Sequence, residues 1–128
     1  MYVNYNPNPK AARVGDCVIR AISKVLNQTW EKTYIMLAVY GFMLADLPSA
    51  NHVWGRYLMD NGFKRHLIPD SCPACYTVKN FADEHPEGIY LLALNGHVVA
   101  VENGCFFDSW NSSDEVVIYF WEKEKGES

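Results

Sequence analysis

Three residue types set at long spacing could do covalent chemistry in this chain: a cysteine, a histidine and an aspartate. Cys17 opens GDCVIRAISKVLN, whose apolar residues repeat with helical period, while His97 in NGHVVAV and Asp108 in CFFDSW stand in strand-like segments. A thiol at the start of a helix faces the partial positive charge and unpaired N–H groups of the helix end, which favour the thiolate. A neighbouring imidazolium lowers the thiol pKa further, and a carboxylate behind the imidazole orients it. Together these residues would make an activated nucleophile for acyl transfer.

A turn predicts how the last two of them meet. Asn103-Gly104 separates two apolar runs, and both residue types accept the positive φ of a two-residue hairpin. With that loop Glu102 lies opposite Cys105, Val101 opposite Phe106, Val99 opposite Asp108 and His97 opposite Trp110. Alternation puts His97, Val99, Asp108 and Trp110 on one face. Asp108 is then a diagonal neighbour of His97 at about 7–8 Å between backbones, close enough for a carboxylate–imidazole hydrogen bond. Trp110 is expected to shield that bond from water. A slip of one residue would remove the arrangement. Cys105 is expected in the core, on the face of Val101 and His97.

The remaining chain supplies the elements that must hold these residues. Residues 1–13, rich in Asn and Pro, read as an irregular arm. A first helix is expected over Asp16–Leu26, with Asp16 capping its free amides. A second spans Thr29–Tyr40, capped by Thr29 and stopped by Gly41. A third covers Ser49–Asp60, capped by Ser49. FKRHLI reads as a short strand and PDSCPAC as a loop broken by Pro69 and Pro73; Thr77 then caps a short helix, VKNFADEH. The last third is β: IYLLALN as a buried central strand, the hairpin, and EVVIYFWEK as the final strand, followed by a frayed tail at 123–128. Helices followed by an antiparallel sheet make an α+β domain.

The bulk numbers narrow the class. A chain of 128 residues suits a single domain, and 49% hydrophobic with 20% charged residues describes a folded globular protein. A net charge of −4, with 11 basic residues scattered along the chain, argues against nucleic acid as a partner. No apolar run reaches the ~18–20 residues that span a bilayer, and the polar N-terminus is unlike a signal peptide, so no membrane partner and a cytoplasmic location are expected.

Other residues invite chemistry less strongly. Cys72 and Cys75 form one CxxC, half a zinc site, and His52, His66, His85 and Cys105 lack ligand spacing to it. The pair reads as loop cysteines, and no metal and no cofactor are expected. A small zinc or redox protein centred on the pair is the reading a metal assay would test. Trp30, Tyr34, Tyr40, Phe42 and Trp54 read as core and helix-packing residues rather than a ligand platform.

The order of the three residues resembles that of papain-like cysteine peptidases: Cys at the start of the first long helix, His beginning a strand, then Asn or Asp ending a following strand. HVVAVENGCFFDSW is similar to that family's His strand and its NSW motif, with Asp108, Ser109 and Trp110 in those places. Small phage and bacterial members, including the bacteriocin-processing type, are similar in having Asp as third member. The family's Gln, about six residues before the Cys, is replaced by Ala11. Asn8 or Asn6 would then supply the oxyanion donor if the arm folds back, beside the Cys17 N–H. GDCVIRAIS also resembles the nucleophile segment of ovarian-tumour-type deubiquitinases, except that Val14 stands where they have Asp. The resemblance implies a papain-like fold, with N-terminal helices packed on a C-terminal antiparallel sheet. It implies a peptidase or amidohydrolase in which Cys17 attacks, His97 is base and then acid, and Asp108 holds the tautomer. Peptides or proteins are the implied substrates. An acyltransferase would use the same residues, and a catalytically idle binding protein is the other alternative, favoured by the missing Gln.

Overall fold

The computed structural model describes residues 1–12, 14–68 and 75–124. The fold is mixed α+β. Its elements are β1 (Tyr2–Asn4), α1 (Cys17–Val25), α2 (Trp30–Leu44), α3 (Asn51–Asp60), β2 (Phe63–Leu67), α4 (Val78–Glu84), β3 (Ile89–Leu94), β4 (His97–Glu102), β5 (Cys105–Asp108) and β6 (Tyr119–Lys123). The strands form one six-stranded sheet in the order β1-β5-β4-β3-β6-β2.

The sheet is covered on both faces. Leu91 and Ala93 of β3 and Val98 and Ala100 of β4 pack with Ile22, Leu37, Trp54 and Leu58 from α1, α2 and α3. Their alternate neighbours Leu92, Val99 and Val101 pack with Val78, Phe81 and Ala82 of α4. Burial on both sides explains why IYLLAL is apolar without alternation. Among the described residues no helix is long and apolar enough to cross a membrane.

Local chemistry accounts for the helix starts and hairpins. Thr29 and Thr77 accept hydrogen bonds from the N–H groups of Lys32 and Asn80, as expected of N-caps. The β4–β5 hairpin turns at Asn103 and Gly104, with φ of 51° and 79°, and pairs Glu102 with Cys105 and Val101 with Phe106 as the turn requires. A second pair, Asn95-Gly96, joins β3 to β4 and sets Leu94 opposite His97.

Several expectations are corrected. The arm at 1–13 is not wholly irregular: β1 pairs in parallel with β5, Tyr2 opposite Phe106 and Asn4 opposite Asp108, so the sheet is mixed rather than antiparallel. The sheet is also not purely C-terminal, since β1 and β2 belong to it. The tail begins later than 123, because Lys123 pairs with Phe63 and the Glu124 N–H donates to Gly62; residues 125–128 lie outside the described residues. Gly41 does not stop α2. It lies inside the helix because a Cβ there would come 2.8 Å from the Asp46 carbonyl and 3.1 Å from the Pro48 nitrogen. The helix runs on to a left-handed Ala45. Ser49 does not cap α3; Ala50 occupies that position without a side-chain bond. Asp16 holds the N-cap position of α1 without bonding its amides. The loop expected at PDSCPAC lies mostly outside the described residues.

Gly104 tests the turn. A Cβ there would meet only ordinary contacts at 3.5 Å, so the cost of Gly104→Ala is conformational. At φ 79° that cost is about 1–2 kcal/mol, seen as a lower urea midpoint with an unchanged m-value; no loss of stability would contradict the assigned turn.

Candidate active site

Cys17 is the first residue of α1 and His97 the first residue of β4, and the helix start lies against the strand start. The β4–β5 ladder ends with Ala100 opposite Phe107. Beyond it, the Val98 amide and the His97 imidazole lie within reach of the Cys17 sulfur. His97 Nε2 lies 2.6 Å from Asp108 Oδ2. An imidazole has two nitrogens, so Nδ1 is the one left for the thiol. Cys17 therefore adjoins an imidazole that is itself hydrogen-bonded to Asp108. Trp110 lies beside it, its ring centroid 5.1 Å from that of His97, and is itself 45% exposed.

The electrostatics follow from these contacts. Burial alone would push the Cys17 thiol up, but hydrogen bonds from His97 and Val98 and the positive charges of His97 and Arg20 outweigh it, and the thiol sits below its ordinary range. Burial alone would lower His97. The hydrogen bonds to Asp108 and Cys17, with their negative charges, instead push it up to about 9. The signs are complementary. Above the lowered thiol pKa and below about 9, the favoured pair is thiolate and imidazolium.

Asp108 is nearly inaccessible and fully engaged. Its Oδ2 accepts from His97 and, at 2.8 Å, from Ser112 Oγ; its Oδ1 accepts from the Ser109 N–H at 2.8 Å and lies 3.5 Å from the Arg20 guanidinium. Arg20 also pairs with Asp16, whose other oxygen accepts from Trp30 Nε1 at 2.8 Å. This explains why Asp16 does not cap α1: its carboxylate is spent on Arg20 and Trp30. Arg20, Asp16 and Ser112 went unrecognised in the sequence as parts of the site. The i, i+4 spacing of Asp16 and Arg20 was a usable signal; nothing local marks Ser112.

A cavity of about 360 Å³ opens beside Cys17 and His97, with Trp110, Ser109 and Asn6 among its walls. Gly15 and Gly96 flank Cys17 and His97, and a Cβ on either would meet nothing within 4 Å, so both backbones are open at the cavity. Of the two expected oxyanion donors, Asn6 reaches the cavity, although its Nδ2 donates to the Ala12 carbonyl at 3.3 Å. Asn8 does not line it; its side-chain oxygen accepts from the Lys10 and Ala12 N–H groups and shapes the arm. A larger cleft of about 920 Å³ between α3, β2 and β6 contains none of these residues.

The other candidates lie elsewhere. Cys105 is half-buried and pairs with Glu102, so it shares that residue's face and not, as expected, the face of Val101 and His97. Cys17 and Cys105 are the free thiols among the described residues; Cys75 is not free, and Cys72 lies outside them. Among the described residues, no three His, Cys, Asp or Glu side chains gather as a metal-holding group. His52 is exposed on α3, His66 stacks on Phe120 and His85 on Phe81. Trp54 is core as expected, but Tyr34 and Phe42 are 53% and 88% exposed, contrary to expectation.

Compared with known protein families, curated proteins and solved structures, the chain matches none.

Arg20→Met would leave two buried carboxylates without their shared cation. The expected loss is about 3–5 kcal/mol of unfolding free energy, measured by urea titration; a loss below about 0.5 kcal/mol, the range of neutral surface changes, would contradict this role. Asp108→Ala should bring the His97 pKa down from about 9 toward the ordinary ~6.5, read by NMR titration of the imidazole.

Proposed function

We propose that the chain is a papain-like cysteine hydrolase that cleaves peptide, isopeptide or amide bonds through an acyl-enzyme on Cys17. The observation that carries this reading is the 2.6 Å hydrogen bond between His97 and the buried Asp108, with the Cys17 thiol beside the imidazole at the edge of the same cavity. Its support is the pairing of a lowered thiol with a raised imidazole at the mouth of a cavity. The order of the elements, a nucleophile helix followed by a His strand and an Asp strand, fits the papain-like arrangement.

In this reading the Cys17 thiolate attacks the substrate carbonyl carbon, forming a carbon–sulfur bond and an oxyanion. The Cys17 N–H, in the first turn of α1 where amides lack intrahelical acceptors, stabilises that oxyanion. The tetrahedral species collapses as the carbon–nitrogen bond breaks, and His97 gives its Nδ1 proton to the leaving amine. Neutral His97 then takes a proton from water, whose oxygen attacks the thioester; collapse releases the acid and restores the ion pair. Asp108 keeps Nε2–H occupied throughout, so that Nδ1 faces the sulfur. An amine in place of water would make the same site an acyltransferase. The idle-fold reading keeps one observation in its favour, the bonding of the Asn6 amide to Ala12.

The test is capture of the intermediate. Incubation with activated acyl esters and short peptide thioesters, then intact and site-resolved mass spectrometry, should show one acyl group on Cys17. The adduct should be absent in Cys17→Ala and should build up about 10²–10⁴-fold more slowly in His97→Ala, the usual worth of a general acid–base. Acylation of Cys17 no faster than of Cys105 would overturn the proposal.

A further inference from the structure

Two donors share one oxygen of Asp108. Its Oδ2 accepts from His97 Nε2 at 2.6 Å and from the Ser112 hydroxyl at 2.8 Å. Asp108 and Ser112 are 2% and 1% exposed, so bulk water does not reach this contact. Ser112 stands in the loop after β5, and that loop is fastened. The Glu115 N–H donates to the Ser112 carbonyl at 3.1 Å and closes a turn. The Ser113 and Glu115 carbonyls accept from the N–H groups of Lys79 and Val78, at 3.1 and 2.9 Å. These are first-turn amides of α4, which have no acceptor within their own helix. Helix α4 packs on the sheet face opposite α1. The residue that shares Asp108 with His97 is therefore held by the helix on the face away from Cys17.

We propose that Ser112 is a positioning residue for the reaction on Cys17: its hydroxyl draws Asp108 Oδ2 charge away from His97 and so sets how firmly Asp108 retains the imidazole proton. This rests on the hydrolase reading above. The two halves of that reaction make opposite demands on the proton. Acylation needs His97 charged, to protonate the leaving amine; deacylation needs it neutral, to take a proton from water. In the free enzyme Asp108 and Cys17 both favour the charged imidazole. In the acyl-enzyme the sulfur is a neutral thioester, and Asp108 alone holds the proton. A donor on a carboxylate oxygen stabilises the carboxylate and weakens its pull on a neighbouring proton. Ser112 thus eases proton release in the step that needs it. Among the described residues, the ionisable side chains set against this pair are those of α1: Cys17, and Arg20 with its partner Asp16. Tyr2 of β1 donates to the Asp108 backbone carbonyl at 3.3 Å, not to the carboxylate. Lys79 of α4 is exposed and pairs with Asp83.

The test is NMR titration of His97 in wild type, Ser112→Ala, Ser112→Cys and Ser112→Thr. Ser112→Ala should raise the His97 midpoint from about 9 by about 0.5–1 pH unit, the worth of one ordinary hydrogen bond. Ser112→Cys, of similar size but a weak donor, should fall between Ser112→Ala and wild type. Ser112→Thr, which keeps the hydroxyl, should titrate as wild type does. With a Cys17 acyl-enzyme preformed from an activated ester, Ser112→Ala should slow deacylation about 3–10-fold at pH values below the His97 midpoint and move its pH profile up by the same amount. Acylation should change less than about twofold. The titration needs no substrate, so it decides the hold of Ser112 on His97 by itself; failure of any acyl-enzyme to form would overturn the hydrolase reading instead. A His97 midpoint that stays in place or falls toward the ordinary ~6.5 in Ser112→Ala or Ser112→Cys would overturn the proposal. So would a Ser112→Thr protein that titrates like Ser112→Ala, or an unchanged deacylation profile.

Discussion

A carboxylate taken out of water must be met by donors on every side, and Asp108 is the point where this chain meets that demand. Leaving such a group unpaired costs several kcal/mol. Here the donors come from three separate parts of the chain: His97 at the start of β4, Arg20 on α1, and the Ser109 N–H and Ser112 Oγ in the loop after β5. One buried charge thus fixes helix, sheet and loop to each other. It also sets the imidazole, because a ring that donates from Nε2 to Asp108 has only Nδ1 to offer the Cys17 sulfur.

The start of α1 obeys a related constraint. An N-cap side chain would occupy the amides of the first turn, but Asp16 is drawn away by Arg20 and Trp30. Arg20 therefore acts in two places at once, neutralising Asp108 behind the imidazole and adding positive charge near the thiol. The same pair of ions withholds a cap from the helix end that faces the sulfur. Stability and reactivity are linked at this point: what the helix forgoes in capping is available to a negative charge at Cys17.

Features set by local chemistry were legible in the sequence. Asn103-Gly104 admits one hairpin, and from that register His97 and Asp108 had to approach each other; the Thr29 and Thr77 caps were equally readable. Features set by distant partners were not. The strand at Tyr2–Asn4 exists because β5, about a hundred residues later, offers an open edge to a segment that reads as loop by composition. Gly41 looks like a helix stop, and its true reason is the close passage of the Asp46–Pro48 backbone. Asp16 looks like a cap until the charge network that claims it is visible. Ser112 bonds Asp108 from a polar loop with no pattern of its own. Tyr34 and Phe42 of α2 have the spacing of core residues yet are exposed, because periodicity reports apolarity and not what covers it.

The central claim is that Cys17 and His97 share a proton as an ion pair, and the most direct test is the pH dependence of Cys17 alkylation by iodoacetamide, with Cys105 as internal reference. An isolated thiol labels with a midpoint near ~8.5. The ion-pair account predicts that Cys17 labels at lower pH than an isolated thiol and that the rate changes again as His97 loses its proton near 9. His97→Ala should move the Cys17 profile to that of an ordinary thiol. A wild-type profile that follows Cys105, or one indifferent to His97→Ala, would contradict it.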